Sequence, residues 1–316
     1  MKYGYWLPVF GGWLRNVPEE NMSISWDYIK ELAQKSEEWG YSLSLIAELY
    51  MNDIKGEEAL SLDAWSTAAA LAAVTKELEI MVAVRPTFHN PALLAKAVAN
   101  LEHISNDRIS LNVVASWWKA EAEKYGIPFD PHDDRYARTS EWIEVVTKLW
   151  KEDHVSLKGD YYEVQNTILQ PKPKKKPFLY AGGESEAGKQ MISQQCDGYV
   201  MHGDSPEAIG KRIADMKERR EKLGLEPMKF GVAAYSIVRN TEAEVKKELE
   251  RITNFEASAA SYKNYKQWVQ NTQLESRVSL QDYSVSNRGL RAGLAGTVSQ
   301  VPVSYTHLTL PTIYSV

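Results

Sequence analysis

The sequence predicts an α/β fold, a TIM (β/α)8 barrel with insertions, and two observations carry this prediction. Short apolar, β-prone runs alternate with longer segments of helical period, which is the pattern of βα units around a parallel sheet. The run Ile109–Ala115 is nearly continuous in apolar residues, as expected for a strand covered on both faces. The length of 316 residues fits either two ordinary domains or one barrel of about 250 residues with insertions. The alternation therefore decides the fold class, and the length does not.

Seven strands are predicted, each a short run of apolar and β-prone residues. They are Tyr3–Phe10, Leu43–Glu48, Glu79–Val84, Ile109–Ala115, Phe178–Ala181, Gly198–His202 and Lys229–Val238. Helices are expected between them, several of them opened by Ser, Asp or Pro in capping positions. They are predicted over Ser25–Trp39, Leu62–Thr75, Pro91–Ile104, Thr139–Trp150, Ser185–Cys196 and Pro206–Leu223.

Two stretches interrupt the alternation. Residues 153–177 carry β-prone aromatic residues and then a Pro- and Lys-rich run that suits an extended, solvated connection. Residues 254–295 are rich in Ser, Asn, Gln and Tyr and have no clear period. A long insertion at this point predicts a lid or a mobile loop.

The last fourteen residues, 303–316, break the preceding pattern and look like the translation of a sequencing-library adapter. We therefore expect one barrel domain over residues 1–302 and a non-native tail. The barrel would be truncated before its eighth strand, because closing it takes about 40–60 further residues.

Composition and charge exclude several classes of protein. With 44% hydrophobic and 25% charged residues, general disorder is excluded. A net charge of −5, with no stripe of Lys and Arg between aromatic residues, argues against nucleic acid as a partner. The single cysteine cannot form an internal disulfide, and neither a signal peptide nor a membrane span is visible. These features predict a cytoplasmic protein.

The spacing of residues in the sequence argues against several kinds of binding and catalytic site. The histidines lack metal-ligand spacing with one another and with Cys196, so no metal site is predicted. The chain has no Walker A, Gly-x-Gly-x-x-Gly or Gly-x-Ser-x-Gly motif. His89 and His202 follow predicted strands at the mouth of the barrel, where each is either a substrate contact or an ordinary loop histidine.

The turn Tyr180–Gly188 is a candidate anion site. Its glycines let the backbone approach a ligand, and Ser185 falls at a helix N-terminus, where free N–H groups favour a phosphate. A plain glycine turn with a serine cap explains the same residues. Spacing alone does not choose between the two interpretations.

Polar and aromatic residues follow the fourth predicted strand. Asn112 lies at its end, and Trp117 and Trp118 either wall a flat aromatic ligand or pack in the core. In the next loop, Arg135 offers a fork for a phosphate or a carbonyl edge, and Tyr136 offers a hydroxyl on a rigid ring. The acidic residues of that loop also suit a helix N-terminus.

Several segments in chain order resemble the bacterial-luciferase-like flavin monooxygenases. They are Ser61–Trp65 with Leu71–Thr75, Val84–Thr87, Ser105–Arg108, Leu111–Trp117, His132–Tyr136, Ala181–Ser185 and Gly231–Arg239. The resemblance runs from residue 3 to about 301. Within this superfamily the chain is similar to alkanesulfonate and dimethyl sulfone monooxygenases, to pyrimidine oxygenase and to riboflavin lyase.

The resemblance implies that FMN lies across the C-terminal mouth of the barrel, with Ala47 under the ring and Ser185 at the phosphate. The residues matched to flavin contacts are Ala47, Asn112, Glu121, Arg135, Tyr136 and Ser185. No acid–base residue is singled out. The catalytic candidates are Tyr136, Tyr235, His89 and His202.

The resemblance also implies O2, a small-molecule substrate, reduced FMN from a separate NAD(P)H:FMN reductase, and a homo-oligomer. Alkanesulfonate enzymes carry an Arg and a His where this chain has Ala233 and Tyr235, and a Cys in place of Ser61. Losing the Arg favours a neutral organosulfur compound such as dimethyl sulfone over an alkanesulfonate. Two alternatives stay open, namely FMN-dependent cleavage of riboflavin and a non-catalytic flavin-binding protein.

Overall fold

A computed structural model describes residues 1–254, 259–285 and 288–302, so the expected tail at 303–316 lies outside the described residues. The chain forms two compact units. The first comprises Met1–Gly11, Met22–Asn52 and Glu58–Ala181. The second comprises Gly12–Asn21, Asp53–Glu57 and the described residues from Gly182 onward.

The first unit is built on a five-stranded parallel sheet. In spatial order its strands are β1 (Gly4–Trp6), β2 (Leu43–Ile46), β3 (Glu79–Val84), β4 (Ile109–Val113) and β7 (Phe178–Ala181). All five residues of β4 are buried, as predicted for a strand covered on both faces. An antiparallel hairpin, β5 (Val155–Lys158) and β6 (Glu163–Thr167), lies within the stretch that interrupts the predicted alternation.

Helices connect these strands, and all of them except the short helix Lys119–Lys124 were predicted from the sequence. They are α1 (Trp26–Glu38), α2 (Ala64–Val74), α3 (Pro91–Ser105), α4 (Lys119–Lys124) and α5 (His132–Lys151). The first three begin at residues whose side chains accept backbone N–H bonds, namely Ser25, Asp63 and Asn90.

Among its described residues, the second unit contains two parallel strand pairs and five α-helices. One pair is β8 (Gly198–His202) with β9 (Lys229–Ala233), and the other is β10 (Ile237–Arg239) with β11 (Ala295–Thr297). The helices are α6 (Glu186–Gln195), α7 (Pro206–Lys222), α8 (Glu242–Thr253), α9 (Tyr265–Asn271) and α10 (Leu280–Ser284). One buried apolar cluster of this unit consists of Leu14, Val17, Ile237, Ile252 and Val285.

Two predictions about local structure were wrong, and a third stretch contains helices that the sequence did not reveal. The helix expected from Thr139 begins at His132, because the acidic residues before Thr139 form its first turn. The strand expected over Lys229–Val238 stops at Ala233, and the Tyr235 N–H donates to the Gly289 carbonyl instead of continuing that ladder. In the stretch 254–295, where no helical period was recognised, the structure contains α9 and α10.

None of the helices in the described part of the chain combines the length and apolar character that a membrane span requires.

Candidate functional site

Three buried charged side chains meet where strands of the first unit end. Glu48 follows β2, Arg85 follows β3, and Glu121 lies on α4. Arg85 Nη1 pairs with Glu121 Oε2, and Arg85 Nε lies 3.6 Å from Glu48 Oε2. Their side chains are at most 3% exposed, so each charge depends on the others for compensation.

Glu121 uses both of its carboxylate oxygens within this unit. Oε2 faces Arg85, while Oε1 accepts the backbone N–H groups of Tyr50 at 2.6 Å and Met51 at 3.3 Å. Glu121 therefore ties the segment after β2 to Arg85, and in this arrangement it has a positioning role.

Glu48 is the centre of a second set of contacts. Its Oε1 accepts from Trp65 Nε1 at 2.7 Å and lies 2.5 Å from His89 Nε2. Its Oε2 accepts the backbone N–H of Arg85 at 2.8 Å. Trp142 Nε1 donates to the His89 carbonyl at 3.0 Å, so the backbone of the histidine is held as well.

Several buried polar atoms at the same strand ends have no hydrogen-bond partner among the described residues. They include Asn112 Oδ1, Ser116 Oγ and Arg85 Nη2. An acceptor, a hydroxyl and a cationic donor without partners leave hydrogen-bonding capacity for a polar ligand or ordered water, because buried polar atoms otherwise find partners. Asn112, predicted from the sequence, is thus accompanied by Arg85, which sequence analysis did not single out.

The two tryptophans after β4 stack on each other, with ring centroids 5.5 Å apart and planes 7° apart. Trp118 is fully buried and Trp117 is half-buried. The core interpretation is therefore confirmed for Trp118. Trp117, which is half-buried, leaves the ligand-wall interpretation as a prediction.

Arg135 and Tyr136 lie in the first turns of α5. Arg135 is buried, and it donates to the carbonyls of Ala115 at 3.0 Å and Asp130 at 2.9 Å. Burial lowers the pKa of Arg135 below the ordinary guanidinium value. Through these two hydrogen bonds, the Arg135 guanidinium holds the chain that follows β4. The centroid of the Tyr136 ring lies 5.1 Å from that of the His132 ring.

Ala47 is half-buried immediately after β2, and Ser185 belongs to the second unit. Ser185 caps α6, because its Oγ accepts the Gly188 N–H at 3.1 Å. The serine-cap interpretation is confirmed. The cap uses the oxygen as an acceptor, which leaves the hydroxyl proton to donate to an anion.

The turn before Ser185 requires glycine. A Cβ on Gly182 would lie 2.8 Å from the Val200 carbonyl oxygen, a distance that side-chain carbons do not adopt. The Gly183 carbonyl accepts the Tyr199 hydroxyl at 2.8 Å. The backbone leading into the helix N-terminus is therefore closely held.

His202 ends β8 in the second unit. Burial, followed by the nearby charges of Arg288 and Arg212, lowers the pKa of His202 to about 4, while Glu184 opposes this shift. The imidazole is therefore neutral at pH 7. It can accept or donate one hydrogen bond, and it does not supply a positive charge to a bound anion.

Acidification is expected to destabilise the protein through His202. Between pH 6.5 and 4 the unfolded chain binds a proton that the folded chain excludes, so the free energy of unfolding falls by at most about 3–4 kcal/mol and then levels off. Urea unfolding across this range measures the effect. His202→Asn should lose this part of the pH dependence, whereas His154→Asn, at an exposed position, should retain it. Equal slopes for the two variants would contradict the assignment.

Tyr235 follows β9 and packs half-buried beside the apolar cluster of the second unit. Burial raises the pKa of Tyr235 to about 12. Its phenol therefore stays protonated at neutral pH, and it is suited to donate a hydrogen bond but not to accept a proton.

In the first unit Arg85 and His89 contact Glu48, Glu121 contacts Arg85, and Asn112 lies on β4. Ser185, His202 and Tyr235 belong to the second unit. Sequence analysis missed the roles of Glu48 and Arg85. The available signal was position, since each of the two lies at the carboxyl end of a predicted strand, where barrel enzymes place functional side chains.

The sequence of this chain is similar to those of known flavin-dependent enzymes. A sequence profile of luciferase-like monooxygenases matches residues 1–300. The FMNH2-dependent dimethylsulfone monooxygenases of Pseudomonas putida and Pseudomonas fluorescens are each 30% identical over 95% of this chain, covering 85% and 84% of their own lengths.

Among solved structures, a long-chain alkane monooxygenase matches with a TM-score of 0.80 and 19% identity, covering 99% of this chain and 84% of the other. A riboflavin lyase matches with a TM-score of 0.78 and 19% identity, covering 99% and 85%. These likenesses confirm the predicted α/β barrel class. With the profile match over nearly its whole length, the chain belongs to the luciferase-like monooxygenase family.

Proposed function

We propose that this chain is a two-component monooxygenase that uses reduced FMN and O2 to oxygenate a small neutral organosulfur compound such as dimethyl sulfone. The family and the FMNH2 dependence of both curated relatives support the cofactor and the reaction class. The observation that carries the assignment to these residues is the set of buried, unpartnered polar atoms led by Asn112 Oδ1 and Arg85 Nη2.

The described residues fit a flavin. An isoalloxazine presents N–H and carbonyl groups, which complement the acceptor of Asn112 and the donor of Arg85. In the second unit we assign the phosphate to the hydroxyl of Ser185 and the N-terminus of α6. Bound reduced FMN would supply the two electrons that reduce O2. The protein contributes binding, orientation and exclusion of water, and Ala47, Glu121, Arg135 and Tyr136 shape or hold this region.

The substrate is proposed to be neutral. Ala233 supplies no cation at the end of β9, and the raised pKa of Tyr235 keeps its phenol uncharged. A sulfonate buried against these residues would lack an ionic partner. A separate NAD(P)H:FMN reductase is proposed to supply the reduced cofactor, and we expect a cytoplasmic homo-oligomer.

Product analysis tests this function. With reduced FMN and O2, dimethyl sulfone should yield methanesulfinate, formaldehyde and water. Release of sulfite from an alkanesulfonate would contradict the neutral substrate. Because a riboflavin lyase has a similar fold, riboflavin should be tested as an alternative substrate. Formation of lumichrome would identify a riboflavin-cleaving activity. Flavin binding without any of these products would indicate a non-catalytic flavoprotein.

Ser185→Ala is expected to weaken FMN binding about tenfold, because the phosphate loses a donor whose hydrogen bond is worth about 1.5 kcal/mol. The substitution also removes a helix cap. Ser205→Ala is the matched control, since Ser205 caps α7 in the same way by accepting the Ala208 N–H at 3.2 Å. Anaerobic titration with reduced FMN compares the two variants. Equal affinities would contradict the phosphate assignment.

A further inference from the structure

We propose that Glu48 and His89 form a carboxylate–imidazole pair in which His89 carries a proton during oxygenation and Glu48 is its positioning residue. The role in oxygenation rests on the proposed function. The pair itself rests on contacts within the first unit, where His89 Nε2 lies 2.5 Å from Glu48 Oε1.

The surroundings of Glu48 fix which histidine nitrogen carries hydrogen. Oε1 accepts from the indole of Trp65, and Oε2 accepts from the backbone N–H of Arg85. The Arg85 guanidinium lies 3.6 Å from Oε2 and faces it as an ionic partner. An ionised carboxylate only accepts hydrogen bonds, so His89 must approach it with Nε2–H. In the neutral imidazole, Nδ1 then carries the lone pair.

Nδ1 is available to a ligand. Within the described part of the chain, the hydrogen bonds of His89 involve its Nε2, its backbone N–H and its carbonyl, and none involves Nδ1. The side chain keeps 16% exposure, whereas that of Glu48 keeps 1%. The ring also packs edge-on against Trp65 at 5.6 Å. The imidazole is therefore held by its contacts with Glu48 and Trp65, and part of its side chain remains exposed.

The charges around the pair tolerate an added proton. Glu48 and Glu121 carry two negative charges against the single positive charge of Arg85. Protonation of His89 at Nδ1 brings the sum of these four groups to zero. The cluster is thus suited to hold a proton temporarily, as a general acid–base group must.

Oxygenation needs such a group. In the overall reaction the substrate, O2 and FMNH2 give the oxygenated substrate, water and FMN. One oxygen atom enters the substrate, and the other leaves as water with the two protons and two electrons that FMNH2 loses. We assign to His89 Nδ1 the uptake and return of one of these protons.

The tautomer of the His89 imidazole can be measured in protein that has no flavin bound. In protein labelled with 15N-histidine, the ring nitrogen shifts of the neutral His89 should show Nε2–H in the wild type, with His89→Gln used to assign the signal. Glu48→Gln should shift His89 toward a mixture of tautomers, because one amide cannot accept from all three donors. A predominant Nδ1–H form in the wild type, or an unchanged tautomer in Glu48→Gln, would overturn the pair.

His89→Gln also tests the proton-carrying role. Its amide can still donate to Glu48 but cannot take up a proton, so we expect FMN affinity within about twofold of wild type and product formation about 100-fold slower, with H2O2 released instead. His154→Gln, at an exposed histidine of the same unit, should match the wild type. Product formation by His89→Gln within about threefold of wild type would overturn the role. A wild type that makes no product would instead refute the proposed function, and the tautomer would still decide the pair.

Discussion

Glu121→Ala is expected to destabilise the protein by about 3–5 kcal/mol, because it leaves Arg85 as a buried cation without its close partner. The substitution also removes the acceptor of the Tyr50 and Met51 N–H groups, which lie in the same buried region. Urea unfolding at neutral pH measures the loss. The free energy of unfolding of the wild type and the variant should be compared at constant protein concentration.

Glu123→Ala provides the control for this prediction. It lies two residues further along α4, and its carboxylate is exposed and 3.7 Å from the exposed Lys119 ammonium. Removing such a pair should cost no more than about 0.5 kcal/mol. Adding Arg85→Met to Glu121→Ala should restore part of the lost stability, since the unpaired charge disappears. If Glu121→Ala and Glu123→Ala unfold alike, the buried network does not stabilise the protein as described.

Glu121 also shows how far the sequence predicts this site. The resemblance places it beside the flavin, but one sequence does not show that both of its oxygens are occupied within the unit. Its ionic partner, Arg85, lies 36 residues away along the chain. Ionic pairing over such a distance leaves no local pattern, whereas the helix cap at Ser185 does, and the cap was one of the two interpretations that the sequence left open.

The difference between local patterns and long-range pairing also explains which strands were predicted correctly. The strands predicted at Glu79–Val84, Phe178–Ala181 and Gly198–His202 have the observed bounds, because each is a short apolar run between clear turn signals. β10 was merged with the preceding strand because its partner, β11, lies more than fifty residues further along the chain. Local periodicity carries no information about such a pairing.

The stretch predicted as a lid or a mobile loop is tied to a second buried network, all within the second unit. Arg15 Nη2 pairs with Asp53 Oδ2, and Asn264 Nδ2 donates to Asp53 Oδ1 at 2.9 Å. Arg15 also donates to the carbonyls of Ser261 and Tyr283 at 3.1 and 3.2 Å. Asp53 and Arg15 therefore fasten residues 259–285, and a lid role for the whole stretch stays a prediction.

Asp53→Ala is consequently expected to cost about 3–5 kcal/mol, because Arg15 becomes an unpaired buried cation. Since Asn264 loses its acceptor as well, amide exchange over residues 259–285 should accelerate more than elsewhere. Lys263→Ala is the matched control, because the Lys263–Glu57 pair joins the same two segments at 3.1 Å with an exposed ammonium and should cost less than about 1 kcal/mol. Hydrogen exchange by mass spectrometry compares the variants. Similar exchange in both would mean that apolar packing, and not the Arg15–Asp53 pair, holds this segment.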